Sequence, residues 1–330
     1  MLYFLDRVEI NRRLVELRNI YTSTGISEEL RGWSWDRPPV QPLSRKYLLG
    51  VSELSNRYCS TYRDIYLRRI VCADSELSFS MVTGTVIHII SHEFVIFVKK
   101  ALYSSILNGK ELIDEAGQKR DELLEKVKSK LSERIPSLDN LTIKRCTERC
   151  LPFLDFIAVQ AGAKLDYALS RYPDSEEDSI VSNMFLPIVE RKVDGSLIGL
   201  SRQLSIDMIS EGQAILELKY GERKEFHKYQ LTGYALALES ECNIDANYGM
   251  IVYVRFDDSR SVPKISLDSY FIGDELRREF LEMRDEALRI LSVAKDPGMP
   301  SSCPASCAYF THCNPQRAEE KVDTLETYNK

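Results

Sequence analysis

The sequence predicts an α/β protein in which a mixed sheet is flanked by helices. Three observations carry that expectation. Residues 185–220 alternate apolar and polar side chains around two glycine-containing turn signals, the pattern of a strand meander. Two further strand-like runs, YGMIVYVRFD at 248–257 and KISLDSYFI at 264–272, follow a helical stretch at about 225–240. The first 180 residues, in contrast, read mainly as helices.

Taken in order, residues 1–22 read as a helix, and STGISEELRGWSWDRPPVQPLSRKY after them is a proline-containing loop with both tryptophans. Residues 52–70, SELSNRYCSTYRDIYLRRI, read as one helix opened by Ser52 with Glu53 close behind. From about Phe79 to Leu107 runs a strongly apolar stretch containing GTVIHIISHEFVIFVKKAL, a buried helix. Charged helices follow at 110–134 and at about 140–171, the second ending before the acidic YPDSEEDS, which marks a boundary. In the meander FLPIVERKVDG-SLIGLSRQLSIDMIS-EGQ-AILELKY, Asp194-Gly195 and Glu211-Gly212-Gln213 are the hairpin turns. A long helix from Asp274 to about Ala294 leads to the tail SSCPASCAYFTHCNP. The chain so divides into a mainly helical region, 1–180, a sheet-bearing core, 181–260, and a C-terminal strand, helix and cysteine tail, 261–330. The length of 330 residues fits two domains or one elaborated core.

Composition narrows the class. With 44% hydrophobic and 28% charged residues the chain has apolar material for a large core. Its net charge of −6 gives no overall positive field, so contact with nucleic acid must rely on local basic patches. The N-terminus MLYFLDRVEINRR lacks a signal peptide's basic start and unbroken apolar run, and no window long enough to span a membrane is free of charge. A cytoplasmic protein is expected, with no membrane partner. Eight cysteines in a chain of this size point to metal binding rather than a disulfide scaffold.

The chemistry concentrates in SIDMISEGQAILELKYGERKEFHKYQLTGYALAL, residues 205–238. With Glu211-Gly212-Gln213 as the loop, Asp207 falls opposite Glu217, and Glu217 shares a strand face with Lys219 while Leu216 and Leu218 share the other. Facing carboxylates repel, and one lysine offsets only part of that, so a divalent cation such as Mg²⁺ or Mn²⁺ suits the cluster. The bland alternative is a solvated hairpin face with a cross-strand salt bridge. Gln230 and Tyr234 add an amide and a phenol on one face of the following helix. Upstream, Gly84-x3-His88 sets an imidazole inside the apolar helix, where a hydrogen-bonded core histidine is the competing reading; His92 is taken as a core residue.

A second constellation is Cys303-x3-Cys307-x5-Cys313. Three thiolates in an irregular tail suit zinc or an iron–sulfur cluster, and both need a fourth ligand. Cys59 is the leading choice, with Cys72 or the helical pair Cys146 and Cys150 as alternatives, and Cys242 is read as a small core residue.

Gly84-x3-His88, Asp207, Glu217-x-Lys219 and Gln230-x3-Tyr234 occur in the order of the motifs of the RecB-like nucleases of the PD-(D/E)XK superfamily, which the chain resembles. Cys59 with the C-terminal trio resembles the iron–sulfur frame of that superfamily's CRISPR-associated exonuclease branch, the Cas-four family. The segment CSTYRDIYLRR looks like that branch's C-P-T-x-R-D-x-Y-L with Ser60 in place of proline, and the ISEELRGWSW loop is more like its archaeal type I-A variant, the Csa family. The tail departs from the commoner pattern, which has two residues rather than three between the first two cysteines. The resemblance spans roughly residues 50–315. It implies a RecB-like nuclease core and a metal-dependent DNA exonuclease acting on single-stranded DNA or DNA ends in CRISPR spacer acquisition, with the CRISPR integrase and its small partner subunit as partners. His88, Asp207 and Glu217 would be the metal ligands and Lys219 would position the attacking water. Gln230 and Tyr234 would orient the phosphate or the lysine, and Cys59, Cys303, Cys307 and Cys313 would hold a 4Fe–4S cluster. A nuclease fold serving as a DNA-end-binding subunit of the adaptation complex is the alternative, against which the intact Glu-x-Lys argues. The helical insert at 101–180 carries no readable motif.

Overall fold

The computed structural model describes residues 7–315, apart from 57–58, 105–107, 185, 211–213, 258–261 and 305. Its N-terminal part is helical: α1 (Arg7–Thr24), α2 (Val51–Ser55), α3 (Arg63–Tyr66), α4 (Phe79–Leu102), α5 (Gly109–Gln118), α6 (Arg120–Arg134), α7 (Asn140–Arg149), α8 (Leu151–Arg171) and α9 (Glu177–Asn183). The strands are β1 (Ile188–Val193), β2 (Leu204–Ile209), β3 (Ile215–Tyr220), β4 (Tyr248–Arg255) and β5 (Lys264–Phe271), with α10 (Lys228–Cys242) between β3 and β4, then α11 (Asp274–Val293) and the short α12 (Phe310–Cys313). The strands form one sheet in chain order, antiparallel except for the parallel pair β3–β4 that α10 connects. The expected mixed sheet with flanking helices is therefore present.

Several boundaries differ from the sequence reading, for local reasons. The single helix expected at 52–70 is two short helices followed by a π-helical turn at Leu67–Val71, because Tyr62 takes a left-handed backbone (φ 56°) just after Cys59. The helix expected at 110–134 breaks at Lys119, which ends α5 and begins α6. The one expected at about 140–171 breaks at Cys150, where Pro152 lies in the first turn of α8 and has no N–H to give the preceding turn. Part of the acidic segment forms α9, its Glu177 and Asp178 lying favourably at the positive end of the helix dipole. Asp194-Gly195 is not a tight hairpin turn. It opens a longer connection with a 3₁₀ turn at Ser196–Ile198, a left-handed Gly199 and a parallel bridge from Leu200 to Leu49. The turn expected at 211–213 lies outside the described residues.

The sheet has an apolar core on each face. On one face α4, backed by α6, α7 and α8, covers a core that includes Met208, Leu216, Leu218, Met250, Val252 and Val254, while on the other α10, backed by α11 and α2, covers one that includes Leu204, Ile206, Ile215, Ile251 and Tyr253. By length and composition α4 could cross a membrane, but here it is the central core helix against α6, α7, α8 and β3.

Alternation fails at one place in each of the first two strands. Leu204 and Ile206 lie in the α10-side core, yet Met208, in the same phase, lies in the α4-side core. Likewise Val193 belongs to the α10 side and Val189 to the α4 side. The pairs Val189↔Met208 and Arg191↔Ile206 flank the switch, so Glu190 and Asp207 stand opposite each other at it, with Glu190 at φ 48°. Such a local kink re-aims side chains.

The N-terminal loop is tied to this frame by charge. Glu239 of α10, fully buried, accepts from Arg31 Nη1 (2.8 Å), from Arg277 Nη1 (2.6 Å) and Nη2 (2.8 Å), and from Gly32 N (2.7 Å). A Cβ on Gly32 would lie 2.1 Å from Leu236 O, so only glycine lets the loop approach α10 this closely. Glu239→Ala would leave the buried Arg277 guanidinium without a carboxylate and Arg31 with only the more exposed Asp245, and its expected cost is roughly 3–5 kcal/mol in chemical denaturation. A loss below about 1 kcal/mol would contradict this role.

Candidate functional site

The residues singled out in the sequence meet where β2 parts from β3. Pairing between those strands extends over Met208↔Leu216 and Ile209↔Ile215, and one further step sets Asp207 across from Glu217, as the spacing suggested. At that step a side chain replaces the main-chain ladder: Asp207 Oδ2 accepts the Leu218 N–H at 2.9 Å. The same oxygen lies 3.2 Å from His88 Nδ1 of α4. Burial disfavours charge on both groups, but each outweighs it for the other, raising the His88 pKa and, with the Leu218 N–H, lowering that of Asp207. Gly84, one turn before His88, faces Tyr220 with room for a Cβ at 3.6 Å, so crowding does not demand glycine there.

Glu217 is 1% exposed on the α10 side of β3. Its Oε1 accepts from Lys219 Nζ at 2.8 Å and from Gln230 Nε2 at 2.7 Å. Gln230 closes the triangle, its Oε1 accepting from Lys219 Nζ at 2.6 Å, and its amide nitrogen lies 3.3 Å from Tyr234 Oη. Glu217 Oε2, also buried, has no hydrogen-bond partner. Burial first, and then the negative Asp207, push the Glu217 pKa up to about 7 against the pull of Lys219. Burial followed by the two carboxylates raises the Tyr234 phenol, which stays protonated. The sequence-predicted His88, Asp207, Glu217, Lys219, Gln230 and Tyr234 are thus brought into one electrostatically linked group.

Other members of this neighbourhood were not foreseen. His227, in the 3₁₀ turn before α10, lies against Tyr253, the β4 neighbour of Lys219, with Nδ1 3.1 Å from the phenol oxygen. Burial, then Lys219 and Lys224, push its pKa down to about 3, so it stays neutral near these two lysines. Glu190 was hidden because it sits in an ordinary-looking strand; the adjacent apolar pair Ile188-Val189, which breaks alternation, was the available signal. His92, read as a core residue, lies with Nδ1 3.0 Å from Glu93 Oε1 and Nε2 3.8 Å from Glu190 Oε2.

The cysteines of the tail fold back over the segment after α2. Cys303, Cys307 and Cys313 pack in one small apolar cluster with Leu67, Tyr309 and Phe310. Arg63 Nη1 donates to Cys313 Sγ at 3.2 Å while its Nε and Nη2 hold Asp296, and Thr61 Oγ1 donates to Gly298 O at 2.8 Å. Cys59 Sγ is 3.5 Å from Thr61 Oγ1. Burial raises the Cys303 thiol pKa, with further increments from Cys313 and Cys59, and burial pushes Cys307 up to about 11. The four sulfurs thus come from distant parts of the chain to one locality, all as free thiols. Cys146 and Cys150 lie elsewhere, in the helical core near Thr83, and Cys72 is exposed. Among the described residues, no three His, Cys, Asp or Glu side chains are grouped so as to hold a metal ion as they stand.

Residues 1–316 match the family described as CRISPR-associated exonuclease Csa1. A protein of that description from Saccharolobus solfataricus is 31% identical over 311 residues, covering 94% of this chain and 98% of its own. A second, from Thermoproteus tenax, is 26% identical over 310 residues, covering 94% and 99%. With a match that takes in the helical region, the sheet and the cysteine tail alike, this chain belongs to the CRISPR-associated exonuclease Csa1 family.

Proposed function

We propose that this chain is a metal-dependent DNA exonuclease with a RecB-like PD-(D/E)XK centre, working in the cytoplasm on single-stranded DNA or DNA ends during CRISPR spacer acquisition. The exonuclease description of its relatives supports the reaction class. The observation that carries the site assignment is Glu217 Oε2, a buried carboxylate oxygen with no donor. Leaving such an atom unsatisfied is costly, and a cation is the partner that a carboxylate facing a second carboxylate lacks.

His88, Asp207 and Glu217 are the residues that would hold Mg²⁺ or Mn²⁺, a hard donor set suited to either ion. When bound, the ion would polarise the phosphate and lower the pKa of the attacking water. Lys219 supplies an ammonium that orients that water, and its own direction is fixed by Glu217 Oε1 and Gln230 Oε1. Gln230 is in turn steadied by Tyr234, whose raised pKa keeps it a neutral hydroxyl. The integrase of spacer acquisition and its small partner subunit are the partners this reading implies.

Cys59, Cys303, Cys307 and Cys313 would hold a 4Fe–4S cluster. The gathering of Cys303, Cys307 and Cys313 into one apolar cluster, with Cys59 electrostatically coupled to Cys303, supports that assignment. A group binding these four sulfurs would join the start and end of the chain and stabilise the fold as a whole.

Lys219→Ala and Glu217→Ala should each lower cleavage of labelled single-stranded DNA with Mn²⁺ or Mg²⁺ by at least on the order of 10²-fold. Their circular dichroism should be unchanged, and full activity in either variant would overturn the assignment. Anaerobically purified protein should be brown and contain iron, with Cys59→Ser lowering iron content and melting temperature together and Cys242→Ser changing neither. Zinc without iron in the wild-type protein would exclude the cluster.

A further inference from the structure

Adjoining the His88–Asp207 pair is a cavity of about 280 Å³ whose wall also carries His92, Arg134, Glu190 and Lys192. Three separate parts of the chain build it: α4 provides the histidines, the last residue of α6 provides Arg134, and β1 provides Glu190 and Lys192. Glu190 is the strained element. It stands across from Asp207 in a left-handed conformation (φ 48°), uncommon and strained for a residue with a Cβ. Its carboxylate is met on the α4 side, Oε1 accepting from Arg134 Nη2 at 2.5 Å and Oε2 lying 3.8 Å from His92 Nε2. Backbone strain that sets a carboxylate on a guanidinium beside a reaction centre is hard to explain by stability, since a pair this exposed contributes little.

A carboxylate is the side chain that best imitates a phosphate at an arginine, because both present paired oxygens to the planar N–H fork. Lys192, two residues along the strand, directs its ammonium to Ser205 Oγ at 3.1 Å and adds a second cation to the same wall. We propose that this cavity is a phosphate subsite of the nuclease: the backbone phosphate next to the one being cleaved is seated between Arg134 and Lys192, displacing Glu190 from the guanidinium. The inference rests on the nuclease reading above and deepens it. It also gives the helical insert a task, since α6 supplies the arginine. Glu190 serves as an internal stand-in that keeps Arg134 aimed at the cavity until a strand arrives.

The test is equilibrium binding of a fluorescein-labelled single-stranded oligonucleotide to uncleaving Lys219→Ala protein, alone and with further changes. Arg134→Ala and Lys192→Ala should each weaken binding about tenfold, the loss of one charge-assisted contact. Each should also reduce the log–log salt slope by about 0.7. Arg134→Lys, which keeps the charge without the fork, should recover part of the loss and guards against a folding defect. Glu190→Gln should act in the opposite direction and tighten binding, because it removes the competitor. A purely structural ion pair would send Arg134→Ala and Glu190→Gln the same way, and that result, or unchanged affinity in both, would overturn the subsite. Replacing single linkages by neutral methylphosphonates should reveal one position whose neutralisation weakens the Lys219→Ala protein but not its Arg134→Ala derivative. Because cleavage is not read, the two readings fail separately. Failure to hydrolyse DNA in the wild-type protein would remove the nuclease function, whereas unchanged binding in Arg134→Ala would remove the subsite alone.

Discussion

A carboxylate held at 1% exposure on a central strand is the constraint around which this molecule is arranged. Glu217 sits in β3, between β2 and β4, where a leucine would bury at no cost. Its Oε1 gathers Lys219 and Gln230, and through Gln230 the phenol of Tyr234, so that one buried oxygen orders three other polar side chains. For those contacts to form, α10 must lie at a fixed height over the sheet. That height is set at the other end of the helix by Glu239, clamped by Arg31 and Arg277. A structural ion cluster and a chemical one thus share a helix, and the first positions the second.

The approach to Glu217 depends on a departure from regular sheet geometry. At Asp207 the carboxylate, rather than a main-chain carbonyl, takes up the Leu218 N–H, beside the point where β1 and β2 lose their alternation. The phase switch at Glu190 and Asp207 lies where β2 parts from β3 and where His88 reaches Asp207 from α4, so that groups from the two faces of the sheet meet between two interior strands. Strain at Glu190 accompanies that switch.

Much of the site was legible in sequence because it is local. Asp207 and Glu217 are related by one turn, Glu217 and Lys219 by strand periodicity, and Gln230 and Tyr234 by helix periodicity, and such relations survive whatever surrounds them. His88 is distant, and its mating with Asp207 needed the order of motifs rather than a spacing. The mixed sheet with flanking helices was readable for the same reason, while the helix breaks at Cys59–Tyr62, Lys119 and Cys150 were not, since each turns on one residue's backbone. What stayed hidden is non-local: Glu239 with its two arginines, Arg284 satisfied by the carbonyls of Pro39, Val40, Gln41 and Ile198, and Glu190 with Arg134. These join segments tens to hundreds of residues apart, and no local pattern announces them.

Under the proposed function, Glu217 Oε2 would anchor a divalent cation shared with Asp207 and His88. The most direct test is a crystal of the protein soaked in Mn²⁺ and measured at the manganese absorption edge. The account predicts one anomalous peak at roughly 2.1 Å from Glu217 Oε2 and in contact with Asp207 and His88, absent in crystals of Glu217→Gln. A peak that avoids Glu217, or the same peak surviving in Glu217→Gln, would contradict it.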